Sequence, residues 1–161
     1  MTDDERYLRR ALRLAEAAER DGDVPVGAVL VSGDLQIEAR NEKQRRGDPT
    51  AHAEMLAIRE AARRLGTWRL CEATLYVTKE PCVMCAGAIV AARLKRLVYA
   101  ANDPKGGADG GAFDVLRSAR ANHRVEIDTG TLHTEAATQL QRFFRRKRAA
   151  CEAEGIEPAA P

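Results

Sequence analysis

Residues 74–93 read TLYVTKEPCVMCAGAIVAAR, and the fold is decided in this stretch. Residues 74–78 are short, apolar and rich in β-branched and aromatic side chains, the composition of a buried strand. Pro81 then opens a helix expected over 81–93, because a proline in the first helical turn lacks only an N–H that the helix does not use. RLVYA at 96–100 follows as a further buried strand. Strand, helix and strand in succession imply a sheet covered by helices.

Working outward, Leu8, Ala11, Leu12 and Ala15 recur at helical spacing with charges between them, so 3–20 is an amphipathic helix that Asp21-Gly22-Asp23 ends. Residues 26–31 form a strand. Ser32-Gly33-Asp34 supplies a turn, and Leu35, Ile37 and Ala39 alternate with polar neighbours, which completes a hairpin. Residues 41–50 are polar and read as a loop. Ala51, Met55, Ile58, Ala62 and Leu65 give a helical stripe closed by Gly66. Beyond the fourth strand come a glycine-rich surface loop at 102–111, a short helix near 112–119 and a strand near 124–127. A long closing helix is marked by Leu132, Ala136, Leu140 and Phe143, and 152–161 reads as a disordered tail. With no repeat and no dividing linker, 1–151 is expected to be one α/β domain with a mixed sheet.

The composition sets limits. A chain of 161 residues suits one domain, and 45% hydrophobic with 31% charged residues excludes a disordered chain. Aromatics are only 4%, so Ala, Leu, Val and Ile must build the core. No apolar run approaches the roughly 20 residues of a membrane helix. Asp3, Asp4, Glu5 and Arg6 stand where a secretory signal would need an apolar core, so a cytoplasmic location is expected. A net charge of +2 neither demands nor excludes a nucleic-acid partner. In a reducing compartment, a close pair such as Cys82 and Cys85 points to metal or redox chemistry rather than a disulfide, with Cys71 and Cys151 as spectators.

The chemistry concentrates at two helix starts, Thr50-Ala51-His52-Ala53-Glu54 and Glu80-Pro81-Cys82-Val83-Met84-Cys85. Cys82 and Cys85, three apart, project from one face of the first turn, and a helix N-terminus favours the thiolate that a metal requires. Two thiolates and the His52 imidazole make a three-ligand zinc site with a fourth position free for water, the pattern of a catalytic rather than a structural zinc. Glu54 is suited to shuttle the proton of that water to a ring nitrogen and then to a leaving amine. Taken singly, each residue has a plainer reading. His52 could be a core histidine, the cysteines a redox pair, and Glu54 a partner of the helix dipole. His-x-Glu followed by Pro-Cys-x-x-Cys, with 26 residues between Glu54 and Pro81, is the established signature of zinc deaminases acting on nucleobases.

Beyond that signature, PVGAVLV (25–31), DPTAHAE (48–54), ATLYVTKEPCVMCAGAI (73–89), GGADGGAFDVL (106–116), NHRVEI (122–127) and LQRFFRRKR (140–148) resemble the bacterial tRNA-specific adenosine deaminases. The likeness runs to about residue 150. It implies a cytidine-deaminase-like three-layer α/β/α sandwich with a five-stranded mixed sheet. It also implies a homodimer that converts adenosine to inosine at the wobble position of an arginine tRNA, with no DNA substrate. By this resemblance His52, Cys82 and Cys85 hold one Zn2+ per subunit, and Glu54 moves protons while water activated at the zinc attacks C6 of the flipped-out adenine. Asn41 would hydrogen-bond the target nucleoside, the Ala53 N–H would orient the base, and Val24 and Pro25 would wall the pocket. Asp103 and Lys105 would lie beside the tRNA anticodon loop, while Phe144 and Arg145 would hold flanking nucleotides, as stacking on an exposed aromatic beside arginines allows.

The sequence departs from the family pattern in two places. Gly107-Ala108-Asp109-Gly110-Gly111 replaces the frequent Gly-Ala-Ala-Gly-Ser, and the added carboxylate is expected to weaken phosphate contacts nearby. Lys79 stands at a usually apolar position. The glycine loop and the basic run at 142–148 also have plainer readings, as a flexible connection and a solvated helix face. Two rivals remain: a deaminase of a free base such as guanine or cytosine, which shares both motifs, and a catalytically silent zinc-stabilised binding module, for which Glu54 has no use.

Overall fold

The computed structural model describes residues 1–157. Its strands are β1 (Gly27–Ser32), β2 (Leu35–Arg40), β3 (Thr74–Lys79), β4 (Arg96–Ala101) and β5 (Glu126–Thr129). They form one sheet in the order β2-β1-β3-β4-β5. β1 pairs antiparallel with β2 and β3, whereas β3, β4 and β5 are mutually parallel. The mixed sheet follows from the connections. A tight turn at 33–34 can only reverse the chain, whereas the crossover through α4 returns it parallel from β3 to β4, and the long helix-free connection 102–125 does the same from β4 to β5.

The helices are α1 (Asp3–Arg20), α2 (Lys43–Arg46), α3 (Ala53–Leu65), α4 (Val83–Ala91) and α5 (His133–Ala153). Strand alternation divides the core into two layers. Ala28, Leu30, Leu75, Val77 and Leu97 face α3 and α4, whereas Val29, Tyr76, Val98 and Ala100 face α1 and α5. This is a three-layer α/β/α sandwich. Leu30 and Leu75 are opposed across β1 and β3 with no solvent exposure, so truncating either to alanine would cost about 2–5 kcal/mol.

Thr2 caps α1, its hydroxyl accepting the Glu5 N–H at 3.1 Å, and Asp3, Asp4 and Glu5 complement the helix dipole. The helix lies so close to the sheet that a Cβ on Gly27 would stand 2.0 Å from the Ala11 carbonyl oxygen. Arg96 on β4 fastens the same helix: it donates two hydrogen bonds to the Asp4 carboxylate, at 2.7 and 2.8 Å, and a third to Asp128 at 2.7 Å.

Three sequence expectations are corrected. Residues 112–119 are turns, not a helix, because Phe113, Val115 and Leu116 donate their N–H groups back to Gly107 and Ala108. The expected loop 41–50 contains the single turn α2, closed by Gly47 at φ 58°. β5 begins two residues later than the expected 124–127. At the C-terminus α5 includes residues 152 and 153 of the expected tail, while 158–161 of it lie outside the described residues. Among the described residues no helix is long and apolar enough to cross a membrane.

Candidate active site

Two helices of the same layer begin side by side at the site. His52 is the N-cap of α3 and Cys82 the N-cap of α4, with Cys85 in the first turn of α4. Neither side chain makes a capping hydrogen bond to its helix. His52 Nδ1 lies 3.7 Å from Cys82 Sγ and 3.5 Å from Cys85 Sγ. With Zn–S near 2.3 Å and Zn–N near 2.0–2.1 Å, tetrahedral geometry requires ligand separations of roughly 3.5–3.8 Å. The trio could therefore hold a zinc ion with little rearrangement, and it is the one such cluster among the described residues.

Glu54, in the first turn of α3, is 3% exposed, and its Oε2 has no protein partner. A buried carboxylate oxygen without a donor is costly unless something else at the site supplies one. Burial, opposed by a backbone hydrogen bond and the His52 charge, pushes the Glu54 carboxyl above its usual range, which favours proton pick-up. The Cys85 thiol, followed by His52, holds Cys82 down to about 3 against burial. Cys85 is pushed upward by Cys82 and by burial, and His52 is raised mainly by its hydrogen bond to Cys82. The shifts favour the thiolate at Cys82 and the protonated forms at Cys85 and His52, and a dication among them would favour loss of those protons.

Asn41, at the end of β2, is buried, and its Oδ1 accepts the Ala53 N–H at 2.9 Å. The Ala53 amide, expected to orient a base, is engaged by Asn41; the Asn41 side-chain NH2 is the polar group left to meet a ligand. Asn41 also donates its backbone N–H to the Val26 carbonyl at 3.0 Å, which ties the end of β2 to the segment that carries Val24 and Pro25. Lys105 is exposed on the loop after β4. The Asp103 carboxylate instead turns into that loop, accepting N–H bonds from Lys105 and Gly106 and pairing with Lys79 Nζ at 2.6 Å. This pairing accounts for the departure at Lys79. Phe144 and Arg145 are not brought to the trio: they ride on α5, on the opposite face of the sheet, where Phe144 is half-buried against the α1 layer and Arg145 is exposed.

The expected harm from Asp109 is not borne out by its position. Its side chain is 1% exposed, accepts the Tyr99 hydroxyl at 2.8 Å and pairs with Arg117 at 2.6 Å, so it faces inward rather than toward a phosphate. Two buried acids escaped the sequence reading. Asp23 accepts its neighbour Val24's N–H and that of Gln44, tying the segment before β1 to α2. Glu80 accepts N–H bonds from Asp103 and Asp109 at 2.8 and 3.0 Å. Its place directly before Pro81-Cys82 was the available signal, but partners 23 and 29 residues away were not.

The sequence profile of the MafB19-like deaminases matches residues 2–148. The chain belongs to this deaminase family. A tRNA-specific adenosine deaminase of Bacillus subtilis (strain 168) is 48% identical to this deaminase over 149 residues, 92% of each chain. A solved chain from a study of A-to-I editing by tRNA:A34 deaminases superposes with a TM-score of 0.80 at 41% identity, covering 84% of this deaminase and 99% of that chain. The X-ray structure of guanine deaminase from Bacillus subtilis matches with a TM-score of 0.61 at 35% identity, covering 90% and 95%. The deaminase therefore shares its family with the bacterial tRNA-specific adenosine deaminases, and its fold with a free-base enzyme as well.

Proposed function

We propose that this chain hydrolytically deaminates adenosine to inosine at the wobble position, position 34, of a tRNA, with tRNA-Arg as the substrate. The observation that carries the chemistry is the buried Glu54 carboxylate, with one oxygen unpartnered, beside the His52–Cys82–Cys85 trio. The substrate is supported by the 48% identity to a tRNA-specific enzyme against 35% to a guanine deaminase, each over at least 90% of this chain.

In this reading His52, Cys82 and Cys85 hold one Zn2+, which lowers the pKa of a bound water toward about 7 and so supplies the nucleophile at neutral pH. Glu54 takes one proton from the water and gives it to a ring nitrogen of the adenine; it then takes the proton of the new C6 hydroxyl and gives it to the 6-amino group, which leaves as ammonia while C6 becomes a carbonyl. Asn41 hydrogen-bonds the nucleoside, and Ala53 fixes the Asn41 side chain. Val24 and Pro25 wall the base pocket. Asp103 shapes the loop that offers Lys105 to the anticodon backbone. Phe144 and Arg145, on the far face of their own subunit, serve flanking nucleotides. Residues 1–151 act as one deaminase domain in a homodimer, in a reducing cytoplasm that keeps Cys82 and Cys85 unoxidised.

The test is turnover of an anticodon stem-loop carrying a wobble adenosine, with the products sequenced, beside free guanine and free cytosine. Inosine at position 34, formed far faster than either free base is deaminated, is the expected result. Guanine or cytosine turnover exceeding that of the stem-loop would transfer the protein to the free-base reading. A stem-loop affinity that falls with salt is also expected, since log K drops by about 0.7 per phosphate contact on a single strand for each decade of salt.

A further inference from the structure

Glu80 lies between β3 and the cysteine-bearing helix, two residues before Cys82, and is 6% exposed. Both of its carboxylate oxygens are used. Oε2 accepts the Asp103 N–H at 2.8 Å, and Oε1 accepts the Asp109 N–H at 3.0 Å, so one side chain grips both ends of the loop 103–109. The loop closes tightly over it. A Cβ on Gly107 would stand 2.2–2.5 Å from the three carboxylate atoms, so only glycine fits there. Backbone contacts complete the seam, with Ala108 N–H donating to the Pro81 carbonyl at 3.0 Å and Cys82 bridged to Gly107.

The two departures from the family pattern reinforce the same loop at the same two ends. Lys79 pairs with Asp103 at one end, and Asp109 pairs with Arg117 and Tyr99 at the other. Lys105, exposed between these clamps, has no carboxylate partner among the described residues.

We propose that Glu80 is a positioning residue which locks the loop 103–109 to the start of the metal-binding helix, holding Lys105 at a fixed place relative to Cys82 for contact with the phosphate backbone of the bound RNA. The RNA part of this inference rests on the function proposed above. A loop fixed in advance gives up little conformational entropy when it meets its ligand, so binding gains what a mobile loop would lose. The carboxylate suits this task because it accepts from two backbone donors at once and offers none.

The experiment uses the full chain loaded with zinc and the variant Glu80→Gln. Its amide keeps one acceptor oxygen but turns an NH2 toward the second backbone donor. Hydrogen exchange at the 103 and 109 amides reads the clamp without any substrate, and is expected to accelerate about tenfold or more while β1 and β3 amides keep their rates. Stem-loop KM is expected to rise about tenfold and kcat to fall no more than about twofold, with one zinc per chain retained. In a Lys105→Ala background the KM effect of Glu80→Gln should largely vanish, since the clamp then has nothing to position. Lys79→Met, which leaves Glu80 intact, should shift exchange at 103 and KM in the same direction by less; it decides the question if Glu80→Gln fails to fold.

Unchanged exchange at 103 and 109 would overturn the clamp. Faster exchange with unchanged KM, equal KM effects with and without Lys105, or a kcat loss that tracks zinc loss would overturn the positioning role. If the wild-type chain ignores the stem-loop, it is the proposed function that fails, and the exchange result still decides the clamp.

Discussion

Asn41 Oδ1 accepts the backbone N–H of Ala53 at 2.9 Å, joining the end of β2 to the helical turn that carries His52 and Glu54. Both residues are buried, so water cannot replace this bond. Asn41→Ala strands the Ala53 N–H and removes the proposed nucleoside contact together. Unfolding free energy should fall by about 1–3 kcal/mol, measured by urea denaturation, and stem-loop turnover should fall further than folding alone explains. An unaltered midpoint would mean that the amide finds another acceptor.

Glu54 is separable from the metal ligands. Glu54→Ala should retain one zinc per chain, measured by elemental analysis, and lose about 10²–10⁴-fold in kcat, the range for a positioned general acid–base group. Because the carboxylate is buried and lacks a full set of partners, the variant should be no less stable than the parent in thermal unfolding. Undiminished turnover would remove Glu54 from the proton path.

Chelation should abolish turnover and re-added zinc should restore it, while far-ultraviolet circular dichroism stays native. The trio sits at the ends of α3 and α4, outside the two apolar layers that hold the sheet, so metal loss should loosen the helix starts rather than unfold the chain. Loss of the dichroism signal on chelation would show that the ion is structural as well.

Asp4 gives a pH signature remote from the site. Its hydrogen bonds from Arg96, opposed by burial, hold its carboxyl below the usual value. A depressed folded pKa contributes stability that is complete above the unfolded value of about 3.9 and is lost as pH falls through the folded value. Asp4→Asn should therefore cost about 1–2 kcal/mol at pH 7, and the gap between variant and parent should close as pH falls below about 4. Denaturant midpoints at several pH values measure it, and a gap that persists at pH 2 would point to shape rather than charge.

The elements legible in the sequence are those whose signal is local. α1, the hairpin and α3 carry their periodicity and stop residues within themselves, and the His52–Cys82–Cys85 trio is marked by the joint His-x-Glu and Pro-Cys-x-x-Cys signature. The turns at 112–119 are not legible locally: Ala112, Phe113, Val115 and Leu116 resemble a helical face, yet the N–H groups of Phe113, Val115 and Leu116 donate to Gly107 and Ala108 in the preceding loop. Lys79 had no explanation until Asp103, 24 residues on, was seen beside it. Asp109 read as a surface charge because nothing local reveals that Tyr99 and Arg117 enclose it.

The missing side chain at Gly27 has a consequence for how this site could be retuned. α1 rests on β1 at a spacing set by that absent carbon, and only residues 21–26 span the gap between the two elements. Val24 and Pro25, the proposed pocket wall, belong to that short span, so the height of that wall would be inherited from the thickness of a layer on the far side of the sheet. A single methyl group at position 27 would act as a shim, lifting the helix and tilting the wall with every pocket-lining residue unchanged. On the proposed pocket, substrate preference would then respond to spacers as well as to linings, and a screen confined to residues facing the base would miss that control.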